Sequence, residues 1–127
     1  MPLQDNSYDL VCCFQMLEHI PYEDFPKALK EIRRVARNYV VISLPDAKQL
    51  FHYSFYIPKV GTKHISIPRP RLKPLVHIFN GEHCWEINKV GYPLTRVISD
   101  IRAAGFEIET TYRPIENSYH RFFVLKC

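Results

Sequence analysis

No apolar run in this sequence is long enough to cross a membrane, and its first residues have neither the basic nor the apolar segment of a secretory signal peptide. The four cysteines show no C-x-x-C spacing, which argues against a disulfide framework. Glycine is also scarce, with four residues and none before Gly61. These absences predict a protein without a membrane span or disulfide scaffold, and we expect it in the cytoplasm.

The composition that remains is that of one globular domain. The chain has 127 residues, of which 46% are hydrophobic and 24% charged, and we treat residues 1–127 as a single domain. The chain has 17 Lys and Arg and 13 Asp and Glu residues, so its formal net charge is 17 − 13 = +4. This basic excess favours an anionic partner without requiring one, and a solvated surface is the simpler interpretation.

The segment from Asp5 to Ile20 reads as a turn, a short strand and a polar pair. Asp5–Ser7 are turn formers, and Leu10–Phe14 is an apolar run too short for a helix, typical of a central strand buried on both faces. In open α/β sheets, ligands bind at the carboxyl ends of such strands. The residues expected there are Gln15, Met16, Glu18 and His19.

A helix and a second strand follow. Pro26 favours a helix start, apolar residues from Phe25 to Ala36 recur at three- and four-residue steps, and Tyr39–Leu44 is a second apolar strand that Pro45 ends. Strand, helix and strand therefore predict one right-handed parallel crossover.

Residues 47–81 contain no Asp or Glu, and we predict an irregular insertion over about residues 47–90, broken by prolines, with a short helix at Leu50–Ile57. Its aromatic residues are interleaved with six basic ones: Lys48, Lys59, Lys63, Arg69, Arg71 and Lys73. Such a segment could grip an anionic substrate or stack on RNA. The alternative is a loop whose aromatics fill the space beneath it.

The last third of the chain shows a helical stripe and two strands. The apolar residues of Leu94–Ala104 recur at helical spacing and Gly105 supplies a stop. Phe106–Tyr112 and Tyr119–Leu125 then alternate as strands, and we expect them to pair antiparallel.

The residues around the first strand resemble a known family. Asp5-Asn6-Ser7 and Asp9 before the strand, with Leu17-Glu18-His19 after it, are similar to the fourth strand of class I S-adenosylmethionine (SAM)-dependent methyltransferases, the group that includes the ubiquinone- and menaquinone-biosynthesis enzymes. The resemblance implies a partial Rossmann-like α/β sheet that ends in an antiparallel strand, with SAM as cofactor. It also implies that the family's glycine-rich SAM turn precedes Met1, so that this C-terminal half is expected to be inactive alone.

The same resemblance implies which residues line the methionine part of SAM: Cys13, Phe14, Gln15 and His19. His19 is the candidate base, because an imidazole with a pKa of about 6.5 accepts a proton at neutral pH. A structural role in the turn is its alternative. His83 and Trp85 could reach the substrate, with simple packing as the alternative.

Metal binding is not expected from the sequence. The spacing of His77, His83 and Cys84 fits no zinc pattern.

Three further expectations concern partners. A sheet without its preceding strands would leave Leu10–Phe14 as an open edge, so we expect self-association through this strand or a place in a longer polypeptide. A non-catalytic binding module that uses residues 47–81 is the second hypothesis, with nucleic acid a possible but less favoured partner. A gene remnant or mis-started reading frame is the third. The methyl acceptor is not identified.

Overall fold

The computed structural model describes residues 2–70, 73–79 and 81–127, so Arg71 of the basic set lies outside the described residues. The elements are β1 (Tyr8–Phe14), α1 (Phe25–Val35), β2 (Ala36–Pro45), β3 (Leu50–Ile57), β4 (Gly61–Pro68), α2 (Leu94–Ala103), β5 (Glu107–Tyr112) and β6 (His120–Lys126). Two short 3₁₀ turns, Leu17–His19 and Tyr22–Asp24, connect β1 to α1. Among the described residues, no helix has the length and apolar character needed to cross a membrane.

Four strands form one mixed sheet in the order β1-β2-β6-β5. β1 and β2 run parallel, and β6 pairs antiparallel with both β2 and β5. The predicted strand–helix–strand crossover and the predicted antiparallel terminal pair are therefore confirmed.

The prediction of a short helix at Leu50–Ile57 is wrong. These residues form β3, which pairs antiparallel with β4 from Leu50↔Pro68 to Ile57↔Gly61. Aromatic and β-branched residues alternate here with polar ones, which suits a strand. Positive φ angles at Lys59 (69°) and Gly61 (97°) close the hairpin turn. The insertion is thus partly regular.

Helix α1 joins β2 without an intervening loop. Proline lies in its first turn, and its buried side chains are Phe25, Leu29, Ile32 and Val35. Ala36, directly after the helix, already has extended geometry with φ −80° and ψ 135°. Helix α2 ends just before Gly105, whose φ of 96° suits glycine at this position.

The sheet has two different faces. The covered face packs against both helices, and its side chains are Val11, Cys13, Val40, Ile42, Leu44, Phe123 and Leu125. The open face carries Leu10, Cys12, Phe14, Tyr39, Val41, Tyr112, Phe122 and Val124. On β1 only Cys13 is buried, whereas Leu10 is 55% and Phe14 51% exposed. The prediction that Leu10–Phe14 is buried on both faces is therefore wrong, because β1 lies at the sheet edge and no described helix covers its second face.

Candidate active site

The carboxyl end of β1 bends sharply at Gln15. This residue has a φ of 50°, a left-handed conformation that is uncommon for a residue other than glycine. Its backbone N–H donates to Ser43 Oγ at 3.2 Å, and its Nε2 lies 3.4 Å from Nε2 of His120. Gln15 therefore lies where the ends of β1 and β2 meet the start of β6.

The turn Leu17–His19 presents one polar side chain outward and one inward. His19 is exposed, and its Nδ1 lies 2.6 Å from the carbonyl oxygen of Glu82. Since a carbonyl only accepts hydrogen bonds, Nδ1 carries the proton and Nε2 has the lone pair. Glu18 is fully buried beside it.

The segment 81–87 is fastened to this turn through Cys84. The backbone N–H of Cys84 donates to the Glu18 carbonyl at 2.7 Å, and its thiol donates to the His19 carbonyl at 3.4 Å. These bonds bring His83 next to His19, with ring centroids 5.2 Å apart.

Glu86 is the centre of a buried polar network. Its carboxylate lies 3.0 Å from His83 Nδ1, accepts from Tyr119 Oη at 2.8 Å and lies 3.0 Å from Lys89 Nζ. Burial raises the pKa of Glu86, but the bonds from His83, Tyr119 and Lys89 outweigh burial, so the pKa lies below its ordinary value. Burial and the bond to Glu86 raise the pKa of Tyr119. The network therefore holds a carboxylate among neutral and cationic donors.

Asp46, directly after β2, is a second buried anion. Arg121 Nε donates to its Oδ2 at 2.9 Å, and its Oδ1 accepts from Asn88 Nδ2 at 2.8 Å and from the Lys48 backbone N–H at 3.0 Å. Arg113 lies 3.6 Å away, and burial lowers the pKa of its guanidinium even though Asp46 raises it. These contacts fix the chain that leaves β2 toward the hairpin.

A cavity of about 500 Å³ lies beside Asp46 and Glu86. Four of its lining residues are basic: Lys48, Arg69, Lys89 and Arg113. Lys48 and Arg69 belong to the basic set predicted from the sequence, and both line this cavity, whereas His19, His83 and Trp85 do not.

The four residues expected to line SAM are at one strand end but do not share a face. Phe14 is on the open face, with its ring 5.9 Å from that of Phe122. Cys13 is in the core on the opposite face, where burial and then the charge of Glu18 raise the pKa of its thiol to about 11. Their roles toward SAM stay predictions.

Trp85 is fully buried, with ring centroids 4.7 Å from Tyr22 and 4.9 Å from Phe25. This position favours the packing interpretation of Trp85, and its role toward a substrate stays a prediction. Sequence reasoning missed Glu86 and Tyr119, which are 33 residues apart, because no local pattern relates them.

The carboxyl end of β1 is exposed. A half-exposed aromatic ring, the bent backbone at Gln15 and the His19 ring lie there, and their role toward the methionine portion of SAM stays a prediction. None of the chain's four glycines lies in the turn directly after β1 or β2, so these two turns are not glycine-rich.

The chain is similar to known proteins over part or nearly all of its length. Residues 1–42 match the family described as "Methyltransferase domain". Over 38 residues the chain is 50% identical to the uncharacterised protein MJ0638 of Methanocaldococcus jannaschii, which is 30% of this chain and 16% of that protein.

Solved structures share the fold over nearly the whole chain. A Burkholderia thailandensis 1,6-didemethyltoxoflavin-N1-methyltransferase, solved with its namesake ligand and S-adenosylhomocysteine, has a TM-score of 0.55 at 12% identity and covers 96% of this chain. An SAM-dependent methyltransferase from Mesorhizobium loti and the PH0226 protein of Pyrococcus horikoshii both give 0.57 at 12% identity, covering 100% and 99% of this chain.

This chain spans 44% to 65% of the lengths of these three proteins. At this identity the likeness shows the fold alone. Together with the match over residues 1–42, it confirms the resemblance to class I SAM-dependent methyltransferases and the partial Rossmann-like sheet. The ubiquinone-like subgroup stays a prediction.

Proposed function

We propose that this chain is part of a SAM-dependent methyltransferase and forms the wall of the active site at the carboxyl ends of β1 and β2. The observation that carries the proposal is the methyltransferase-domain match over residues 1–42, which includes β1, the bend at Gln15 and the pair Glu18-His19. The sheet order, with β6 reversed between β2 and β5, supports it.

Methyl transfer asks mainly for alignment. SAM, held by residues at the carboxyl end of β1, would supply a methyl group on a positively charged sulfur to the lone pair of the acceptor. An acceptor O–H or N–H must also lose its proton. His19 is suited to take this proton, since the Glu82 carbonyl fixes the tautomer with its lone pair on Nε2.

We propose that the cavity beside Asp46 holds the charged part of the acceptor, with the reacting atom outside it, because His19 does not line the cavity. Four basic residues line it, and in the described part of the chain Arg113 pairs with Asp46 and Lys89 with Glu86, whereas Lys48 and Arg69 form no ion pair with either anion. We therefore expect the acceptor to carry negative charge. Glu86 connects the two sites, because this residue lines the cavity and its carboxylate bonds to His83 beside His19.

Calorimetric titration with S-adenosylhomocysteine tests the cofactor assignment. We expect negligible binding to the 127-residue chain and clear binding to the longest natural polypeptide that contains it. Absence of binding and of methyl transfer in the longer polypeptide would overturn the proposal. Micromolar binding by the 127-residue chain would show that a glycine-rich turn is not needed.

The role of His19 is tested in the same longer polypeptide. His19→Ala should lower turnover more than cofactor affinity if the ring acts as a base. The matched control is His64→Ala, which removes an imidazole that bonds Ser54 in the β3–β4 hairpin. An unchanged rate for His19→Ala would assign His19 a structural role.

We also propose that the 127-residue chain self-associates by pairing β1 with β1 of a second copy. The two edges of the sheet differ: β5 carries Glu107 and Glu109, whereas Leu10–Phe14 has no charged side chain. Charges on an edge strand discourage pairing with another chain, and β1 lacks this protection over most of its length.

The non-catalytic module that binds RNA or an anionic partner stays a prediction, as does the cytoplasmic location. RNA binding that proceeds without SAM and weakens steeply with salt would favour such a module.

A further inference from the structure

Glu18 is a buried carboxylate without a compensating group. Its side chain is fully buried, and within residues 2–70, 73–79 and 81–127 no hydrogen-bond donor reaches either carboxylate oxygen. Burying an unpaired carboxylate is costly, so a native protein normally supplies a donor, a proton or a cation. The surroundings of Glu18 indicate which of these it is.

Two imidazoles lie next to this carboxylate. One nitrogen each of His19 and His83 and one oxygen of Glu18 all lie within 4.8 Å of one another. The three residues come from the turn after β1 and from the segment 81–87, which the bond from the Cys84 N–H to the Glu18 carbonyl holds together at 2.7 Å. The fold therefore brings one carboxylate and two histidines to one point from positions 64 and 65 residues apart in the sequence.

Both imidazoles are oriented by a second partner. His19 Nδ1 bonds the Glu82 carbonyl at 2.6 Å, and His83 Nδ1 lies 3.0 Å from the carboxylate of Glu86. Metal-binding histidines usually donate one ring N–H to a carbonyl or carboxylate in this way, which leaves Nε2 as the ligand atom. Tyr119 and Lys89 hold Glu86 in turn.

We infer that Glu18, His19 and His83 form a site for a divalent transition-metal ion, with Zn²⁺ as the first ion to test. Two histidines and one glutamate are the protein ligands of a common type of zinc centre that keeps its fourth position open. Ligands at about 2.0–2.2 Å from Zn²⁺ are separated by roughly 3–3.6 Å. The site therefore closes by about one ångström of side-chain movement, which the exposed ring of His19 can supply.

This inference goes beyond methyl transfer and stands without it. A metal ion on Nε2 of His19 would exclude the base role of that atom. It also departs from the expectation of no metal, which considered only the local spacing of His77, His83 and Cys84.

The test is Zn²⁺ binding by the tag-free chain, measured by competition with a chromogenic chelator and by the rise in melting temperature. We expect one Zn²⁺ per chain. His19→Ala and His83→Ala should each lower the affinity at least about 10-fold, because losing even a residue that only hydrogen-bonds a metal ligand costs about that much. His19 is exposed, so its variant is expected to fold. Glu18→Gln should lose the melting-temperature rise because it removes the anionic ligand.

Two controls decide between sites. The double variant His52→Ala/His64→Ala removes two exposed imidazoles from the hairpin and should bind Zn²⁺ as well as the unmodified chain. Cys84→Ser removes the neighbouring thiol and should also bind Zn²⁺ as well as the unmodified chain. Co²⁺ bound to the unmodified chain in place of Zn²⁺ should show no thiolate-to-metal absorption. No binding at micromolar Zn²⁺, binding that the hairpin variant abolishes, or binding that survives His19→Ala would each overturn the inference.

Discussion

The two faces of the sheet carry the same kinds of apolar side chain but differ in their exposure to solvent. On the covered face Val40, Ile42, Phe123 and Leu125 are each 0% exposed. On the open face, one position away along the same strands, Tyr39 is 38% exposed and Val41 and Phe122 are half-buried. An apolar side chain stabilises the fold by about 25 cal/mol for each Å² of its surface removed from water. Similar apolar side chains therefore stabilise the fold more on the covered face than on the open face.

Three aromatic rings contact one another on the open face. The rings of Phe14 and Phe122 meet edge to face at 5.9 Å, and Phe122 stacks on Tyr112 at 5.5 Å. Such ring pairs are worth about 0.5–1.5 kcal/mol each beyond their burial. The open face is thus organised without being covered.

The largest expected difference is between two neighbouring phenylalanines. Phe123→Ala should lower the free energy of unfolding by about 3–5 kcal/mol, because it leaves a cavity in the covered core. Phe122→Ala should cost about 1–2 kcal/mol, from partial burial and its ring contacts. Urea unfolding measures both, and equal losses would contradict the contrast between the faces.

Self-association of the 127-residue chain should depend on the open edge. Leu10→Lys places a charge on β1 and should weaken the dimer at least about 10-fold, as like charges of the two copies would approach. Tyr112→Lys is the matched control on β5, at the other edge of the same face. Sedimentation velocity over a concentration series checks this. A dilute, monodisperse monomer with a cooperative thermal transition would contradict the proposed dimer.

Two adjacent cysteines sharpen the comparison chemically. Cys12 is exposed on the open face, and Cys13 is 6% exposed on the covered face. The rise in the Cys13 pKa from 9.0 to about 11 lowers its thiolate fraction about 100-fold below pH 9. Iodoacetamide should therefore modify Cys12 first, as read by mass spectrometry, with Cys12→Ser as the control that removes the fast phase. Comparable rates at both thiols would show that the covered face opens readily.

The smallest expected effect is a pH dependence at the polar end of the covered core. The pKa of Glu86 is lowered in the folded chain, so its ionised form favours folding. That contribution is complete above the unfolded pKa of about 4.3 and is lost as the pH falls through the folded value. Glu86→Gln should flatten the acid limb of a pH series of unfolding free energies, whereas Glu109→Gln, on an exposed side chain, should not. A limb unchanged by Glu86→Gln would remove Glu86 from the explanation.

Local periodicity was enough to predict α1, α2 and the terminal strand pair, because the spacing of apolar residues within each segment differs between a helix and a strand. Periodicity alone could not show that Leu10–Phe14 is an edge, since an apolar run does not reveal which neighbours flank it; the open edge was expected from the family resemblance and is observed. The sequence predicts a helix at Leu50–Ile57, whereas the alternation of aromatic and polar residues there suits the observed strand. The networks of Glu86 and Asp46 depend on partners up to 75 residues away, so only the folded chain reveals them.

Because α1 leads directly into β2, the number of residues at this junction determines which side chains of β2 face the core. Val35 ends the helix and Ala36 begins the strand, so no spare residue absorbs an insertion. One added residue would shift the alternation of β2 by one position and turn Val40, Ile42 and Leu44 toward the open face. Natural variation in chain length is therefore expected to be absent at residues 35–36 and to accumulate in the exposed β3–β4 turn, where added residues leave the packed layers untouched.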